Sequence, residues 1–230
     1  MRLASTIKYD VKIQFRSGFY FAYLIVCLIY IAAVRQLPIN IKSNVTTIIV
    51  FLDPSILGFY FIGGLILLEK KQNILSGLFV TPLSVPEYLI SKAISLTLLA
   101  WLSSLVIVFF ILGTGLDLIL FSITIILTSI MFVFFGLTLV AKIDNINEYL
   151  ITSPLPLIFF ILPLFDYLEV LESDLFYLLP SHAVIKLLSS AIEGIQTSLL
   201  NFIPLIIWLF IAFFWAYHCF NRNVVEKTGS

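Results

Sequence analysis

Charge is scarce in this chain. Of its 230 residues only 11% are Asp, Glu, Lys or Arg, against about 25% in a soluble domain. A soluble fold must face water with polar groups, and this chain has too few to do so. Cysteine and histidine are scarcer still, two of each. Cys27 and Cys219 both sit inside apolar runs, which excludes a disulfide framework and reads as small packed side chains. With only two histidines beside them, an ordinary zinc site is excluded as well. No G-x-x-x-x-G-K-[ST] loop, H-E-x-x-H or G-x-S-x-G occurs, so phosphate-loop ATP binding and the familiar hydrolase chemistries have no residues to act through. No cofactor, enzyme active site or nucleic-acid partner is expected; basic and acidic residues balance at 13 each, so the net charge by itself says nothing about partners.

What is abundant is apolar surface. Hydrophobic residues make up 61% of the chain and the mean hydropathy is +1.12. Lipid is the solvent that fits such a composition. A spanning helix takes about 20 mostly apolar residues, and six stretches qualify: 18–34, 45–68, 90–112, 118–140, 149–165 and 199–220. They are too long for barrel strands and show no alternation of period two. The fifth carries Pro154, Pro156 and Pro163, which predicts a kinked or split helix. The expected fold is all-α, a single polytopic unit over 1–230. The first fifteen residues alternate polar and apolar, which is not the pattern of a cleavable signal peptide.

Lysine and arginine orient the spans. With the N-terminus inside, the cytoplasmic segments hold ten of them: Arg2, Lys8, Lys12, Arg16, Lys70, Lys71, Lys92, Lys142, Arg222 and Lys227. The outer segments hold three: Arg35, Lys42 and Lys186. Both termini are therefore expected in the cytoplasm of a cell-membrane protein. Asp166, Glu169, Glu172, Asp174 and Glu193 make the segment before the last span acidic, in keeping with an outward position.

Three segments are not simple spans. Leu3, Ile7, Val11 and Phe15 form one row at i,i+4 beside a basic row of Lys8, Lys12 and Arg16, the pattern of a helix lying along the membrane surface over residues 1–17. Residues 69–92 form the longest cytoplasmic connection. Ile74, Leu75, Leu78 and Phe79 follow helical spacing there, and Thr81-Pro82 stops that helix. Ser84 and Glu87 then stand as N-cap and N3 of a capping box that opens the third span. A short helix exposing Leu and Phe can receive a partner or dip back into lipid, and the residues alone leave both readings open. In the outer segment, Val184, Leu187, Leu188, Ala191, Ile192 and Ile195 predict an amphipathic helix resting on the outer face of the bundle, with Ser181 as its N-cap. His182 is assigned no role.

Asp53 is the one acidic residue well inside a span. A charge at the bilayer centre costs about 2.5–3.5 kcal/mol on insertion scales. Two readings stand: a place on a transport pathway, or, because Pro54 follows it, the N-cap of a helix that starts or restarts there.

The stretches Leu52-Asp53-Pro54-Ser55-Ile56-Leu57-Gly58, Leu67-Leu68-Glu69-Lys70-Lys71, Leu78-Phe79-Val80-Thr81-Pro82-Leu83-Ser84 and Glu87-Tyr88-Leu89-Ile90-Ser91-Lys92 resemble the permease subunits of ABC-2-type ATP-binding-cassette exporters. The subgroup of fluoroquinolone or multidrug export permeases is nearest, and Asp10-Val11-Lys12-Ile13-Gln14-Phe15-Arg16 is similar to it too. The resemblance implies that residues 73–80 are the coupling helix that docks on a separate ATPase subunit, with Glu69, Ile74, Leu75, Leu78, Phe79, Thr81 and Pro82 at the contact. It also implies a second permease subunit, alike or different, and transport by alternating access. The family often has glycine where Asn73 stands; asparagine tolerates the unusual φ such a position takes. The rival from another class is an ion-coupled transporter or channel using Asp53.

Overall fold

The computed structural model describes residues 2–75 and 83–225, and these form helices and short connections with no strand. Helix α1 runs Arg2–Arg16 and α2 Phe19–Arg35. Between them Gly18 takes φ 79, a left-handed conformation that glycine enters without a side-chain clash, and the two axes bend by 64°. Helix α3 runs Ile39–Lys71, α4 Val85–Leu112 and α5 Leu118–Val140. Three short helices follow, α6 Ile146–Thr152, α7 Pro154–Ile161 and α8 Pro163–Tyr167. Then come α9, Pro180–Glu193, and α10, Phe202–Phe220.

Local chemistry accounts for most of these boundaries. Ahead of α4 the Glu87 carboxylate accepts from the Ser84 N–H at 2.9 Å and from its hydroxyl at 2.8 Å, so the capping box forms where its spacing predicted. Asp117 accepts from the N–H groups of Ile119 and Leu120 at 3.1 and 3.0 Å, satisfying two of the unpaired donors of α5. The stretch expected to kink is broken twice, immediately before Pro154 and before Pro163, because a proline has no N–H to donate and its ring crowds the preceding turn.

Among the described residues, four helices are long and apolar enough to cross a membrane: α3, α4, α5 and Leu199–Asn223, which contains α10. A fifth joins them if the bent pair α1 and α2 counts as one span. At 1.5 Å per residue, the 33 residues of α3 are about 50 Å long, more than a hydrocarbon core of roughly 30 Å requires. The outer faces are apolar: on α10, Ile203, Ile207, Phe210, Phe214 and Trp215 are exposed while Leu205, Ala212 and Ala216 are buried.

The centre of the bundle is α3 against α5. Gly58 and Gly136 bring them close: a Cβ on Gly136 would meet the Ile62 side chain at 2.4 Å and the Phe59 backbone oxygen at 2.9 Å. Close approach through small residues is how helices gain contact where lipid supplies no hydrophobic drive. Tyr149 of α6 lies across Gly63, and its hydroxyl donates to the Phe59 carbonyl at 2.6 Å.

Three expectations are corrected. Helix α3 does not start or restart at Asp53: it runs without interruption from Ile39, with Pro38 at its N-cap, so Asp53 lies in the helix interior and caps nothing. A single proline removes one donor, and the turns on either side keep theirs. In α9 the N-cap is Leu179 and Pro180 is the first helical residue, as a ring with preset φ prefers. Ser181 is therefore inside the helix and buried. Nor does α9 simply rest on a surface. Its Val184, Leu187, Leu188 and Ala191 are fully buried against α3, α5 and α10, and the Ala191 carbonyl accepts from the Asp117 N–H at 2.9 Å.

Candidate functional site

At one end of the bundle α1, the last turn of α3 and the first turns of α4 meet around a buried ammonium. Lys92 Nζ lies 2.7 Å from Asp10 Oδ1 and also pairs with the Glu69 carboxylate. The Ser91 hydroxyl donates to Asp10 Oδ2 at 2.6 Å, and the Tyr88 hydroxyl donates to Glu69. One turn along, Gln14 Nε2 donates to Ser95 Oγ at 2.9 Å, and that hydroxyl donates to the Lys92 carbonyl at 3.0 Å. Asp10 and Lys92 are each 4% exposed and Glu69 8%. Two carboxylates and one ammonium leave a formal charge of −1, and the hydroxyls of Tyr88 and Ser91 supply the donors that the lysine cannot. Ion pairs withdrawn from water persist only when hydrogen bonds complete the coordination in this way.

The neighbour of Glu69 points elsewhere. Lys70 Nζ donates to the carbonyls of Val140 and Ile143 at 3.0 and 2.7 Å and pairs with Asp144 at 2.9 Å. It closes the C-terminal end of α5, where a cation meets unpaired carbonyls and the negative pole of the helix. Two consecutive residues thus tie the end of α3 to α1 and α4 on one side and to α5 on the other. Helix α3 ends there with Asn73 at φ 53, the left-handed backbone in which asparagine can stand for glycine.

Of the residues expected at a partner contact, Glu69 is drawn into this cluster, Leu75 is buried and Ile74 is half-exposed. Leu78, Phe79, Thr81 and Pro82 lie outside the described residues. The role of Asp10 was missed. The apolar row through Leu3, Ile7, Val11 and Phe15 is not the packed face of α1, and Phe15 is 71% exposed. The packed row is Leu3, Ile7, Asp10 and Gln14, spaced four, three and four. That spacing was present in the sequence, as was a polar complement in Ser91, Lys92 and Ser95.

A second polar pair lies deep in the bundle. Asp53 of α3 is 3% exposed, and Tyr23 of α2 donates its hydroxyl to Asp53 Oδ2 at 2.9 Å. Among the described residues Asp53 Oδ1 has no hydrogen-bond partner. Tyr23 lines a 540 Å³ cavity between α2 and α4.

The profile of the fluoroquinolones export permease protein family matches residues 1–228. Fluoroquinolones export permease proteins from two strains of Mycobacterium tuberculosis are each 23% identical to the chain over 196 residues, which covers 85% of this chain and 83% of each relative. The match takes in α1, the loop after α3 and every apolar helix described above, and it agrees with the ABC-2-type subgroup that the residues around Asp53, Glu69 and Lys92 resemble. The chain belongs to the fluoroquinolones export permease protein family.

Proposed function

We propose that this chain is the membrane-spanning subunit of an ATP-driven exporter that moves an amphipathic or hydrophobic drug-like cargo out of the cell. The observation that carries this reading is family membership along almost the whole chain. In this reading α2, α3, α4, α5, the broken run α6 to α8, and α10 are six spans, and both termini are cytoplasmic. A separate ATPase subunit docks on residues 73–80, and two permease subunits pair around the cargo path.

The buried cluster supports a mechanism for coupling. The docking segment leaves α3 just after Glu69 and Lys70 and re-enters the bundle at Ser84, eight residues before Lys92. The side chains flanking it grip α1 and α4 through buried ion pairs, and α5 through Lys70, whose partner Asp144 is exposed. A displacement at the segment therefore moves helix ends together rather than dissipating in a loose loop, as a rigid-body switch between inward and outward states requires.

Replacing both Leu78 and Phe79 by Ser tests this. Loss of a central anchor costs on the order of 2 kcal/mol or more, roughly 30-fold in affinity. The double variant is expected to lose its ATPase in a pull-down, or to hydrolyse ATP without moving cargo, while staying folded. If it keeps both partner and transport, these residues are not the coupling element. The second reading, ion-coupled transport through Asp53, then moves ahead; its motivation is the buried carboxylate oxygen without a partner.

A further inference from the structure

The coupling cluster does not use Asp53, and the fold leaves that carboxylate incompletely satisfied. Among the described residues no cation pairs with it. Among the described residues Tyr23 donates to Oδ2, the Ser103 hydroxyl lies close enough to interact with the carboxylate, and Oδ1 has no hydrogen-bond partner. Ser103, which neighbours the pair, donates its own hydroxyl proton to the Ala100 carbonyl at 2.8 Å. A carboxylate at such a depth keeps its negative charge only when something positive comes to meet it, and otherwise takes up a proton.

The cavity beside it has matching chemistry. Tyr23 and Ser103 line it and stand between it and Asp53. Because the Tyr23 proton points at Asp53, the lone pairs of its phenolic oxygen remain available to another donor, and the adjacent carboxylate makes that oxygen a stronger acceptor. Tyr20 lines the same cavity, its hydroxyl buried and without a partner among the described residues, and its ring adds a π face that attracts cations. Arg35 lines the far end, where its Nε donates to the Phe110 carbonyl at 3.1 Å. Twelve residues of helix separate Tyr23 from Arg35, about 18 Å, so a positive group is repelled from one end and drawn to the other. Leu28 and Leu102 on the rim are exposed, which leaves the cavity open sideways to a molecule dissolved in lipid.

We propose that the cavity between α2 and α4 binds the cationic end of the cargo, an organic cation with a bulky apolar body, with the Tyr23–Asp53 pair as its counter-charge. This deepens the export reading by naming a cargo class and a site. The amine donates to the Tyr23 oxygen, Asp53 supplies the charge behind it, and the apolar body lies along the rim.

Tetraphenylphosphonium and tetraphenylborate have the same shape and opposite charge, and their binding to the full-length chain in lipid nanodiscs tests the site. The wild-type chain is expected to hold the cation more tightly than the anion. Asp53→Asn weakens the cation by about tenfold or more and leaves the anion within about twofold, while Asp53→Glu keeps the preference. Leu102→Trp, which obstructs the rim without touching the pair, lowers binding of both ions. Wild-type cation affinity in a folded Asp53→Asn chain would overturn the proposal. Should that variant not fold, unchanged cation binding in Leu102→Trp would overturn it equally. A chain that binds the cation with this preference but exports nothing from cells would sink the export reading and leave the site standing. Export of an amphipathic cargo with no cation preference would sink the site alone.

Discussion

Lys92 and Asp10 lie 2.7 Å apart although 82 positions separate them in the chain, and neither side chain reaches solvent. Asp10 belongs to a surface-charged helix and Lys92 to a long apolar one. Their contact, completed by Glu69, seats α1 against α4.

Removing the ammonium should therefore be costly. Lys92→Met leaves two carboxylates buried with no positive partner, and breaking a buried pair in this way costs about 3–5 kcal/mol. Thermal unfolding in detergent is expected to show a large loss for Lys92→Met. The double change Lys92→Met with Asp10→Leu should lose less, since it no longer strands Asp10. Equal stability of Lys92→Met and the wild type would mean that the cluster does not hold α1 in place.

The contact between α3 and α5 depends on glycine at one point and not at another. Gly136→Leu drives a side chain into Ile62 and the Phe59 backbone, whereas a Cβ on Gly64 meets nothing within 4 Å. Overpacking of this kind typically costs about 1–3 kcal/mol. Gly136→Leu is expected to lower the unfolding temperature or the yield of folded protein, and Gly64→Leu to leave both close to wild type. The reverse order would contradict the packing described here.

Topology is read by reporter fusions. Under the six-span proposal, reporters at residues 80 and 145 and at the C-terminus are cytoplasmic, and those at residues 40 and 180 are external. An external C-terminus would exclude an even number of crossings from a cytoplasmic start.

His182 carries a pH dependence whose sign can be worked out. Burial pushes its pKa below the ordinary value of 6.5, and Lys186 pushes the same way, while Asp166, 3.3 Å away, opposes them without reversing the shift. The unfolded chain then binds the proton more readily than the folded one, so this residue's contribution is present above pH 6.5 and is lost as pH falls from there through the lower folded value. Unfolding temperatures at pH 7.5 and 5.5 are expected to differ more for the wild type than for His182→Gln. A larger drop in the variant would reverse the sign.

Much of the helical framework was legible because its signals are local. A missing N–H at Pro154 and Pro163 acts within one turn, as do the Ser84–Glu87 box and the left-handed backbone at Asn73. The charge cluster was half legible. Glu69 stood out through the residues around it, but Lys92 read only as one of ten cytoplasmic basic residues, and Asp10 drew no attention. Two rows on α1 competed for the packed face, and the more apolar row lost. Asp53 next to Pro54 has the local signature of a cap, yet the long helix continues through it.

By itself the sequence determined that the chain is helical, that lipid is its solvent, and such local boundaries as the Ser84–Glu87 start and the breaks at Pro154 and Pro163, because these follow from composition and from backbone donors within four residues. Tertiary structure alone decided that Asp10 meets Lys92, that α9 is packed into the bundle rather than lying on it, and that Asp53 faces Tyr23 beside a cavity. Such contacts depend on how each helix is rotated about its axis. That rotation is set by the joint packing of all its neighbours, at glycine contacts such as Gly136 against Phe59, and no window of local sequence contains it.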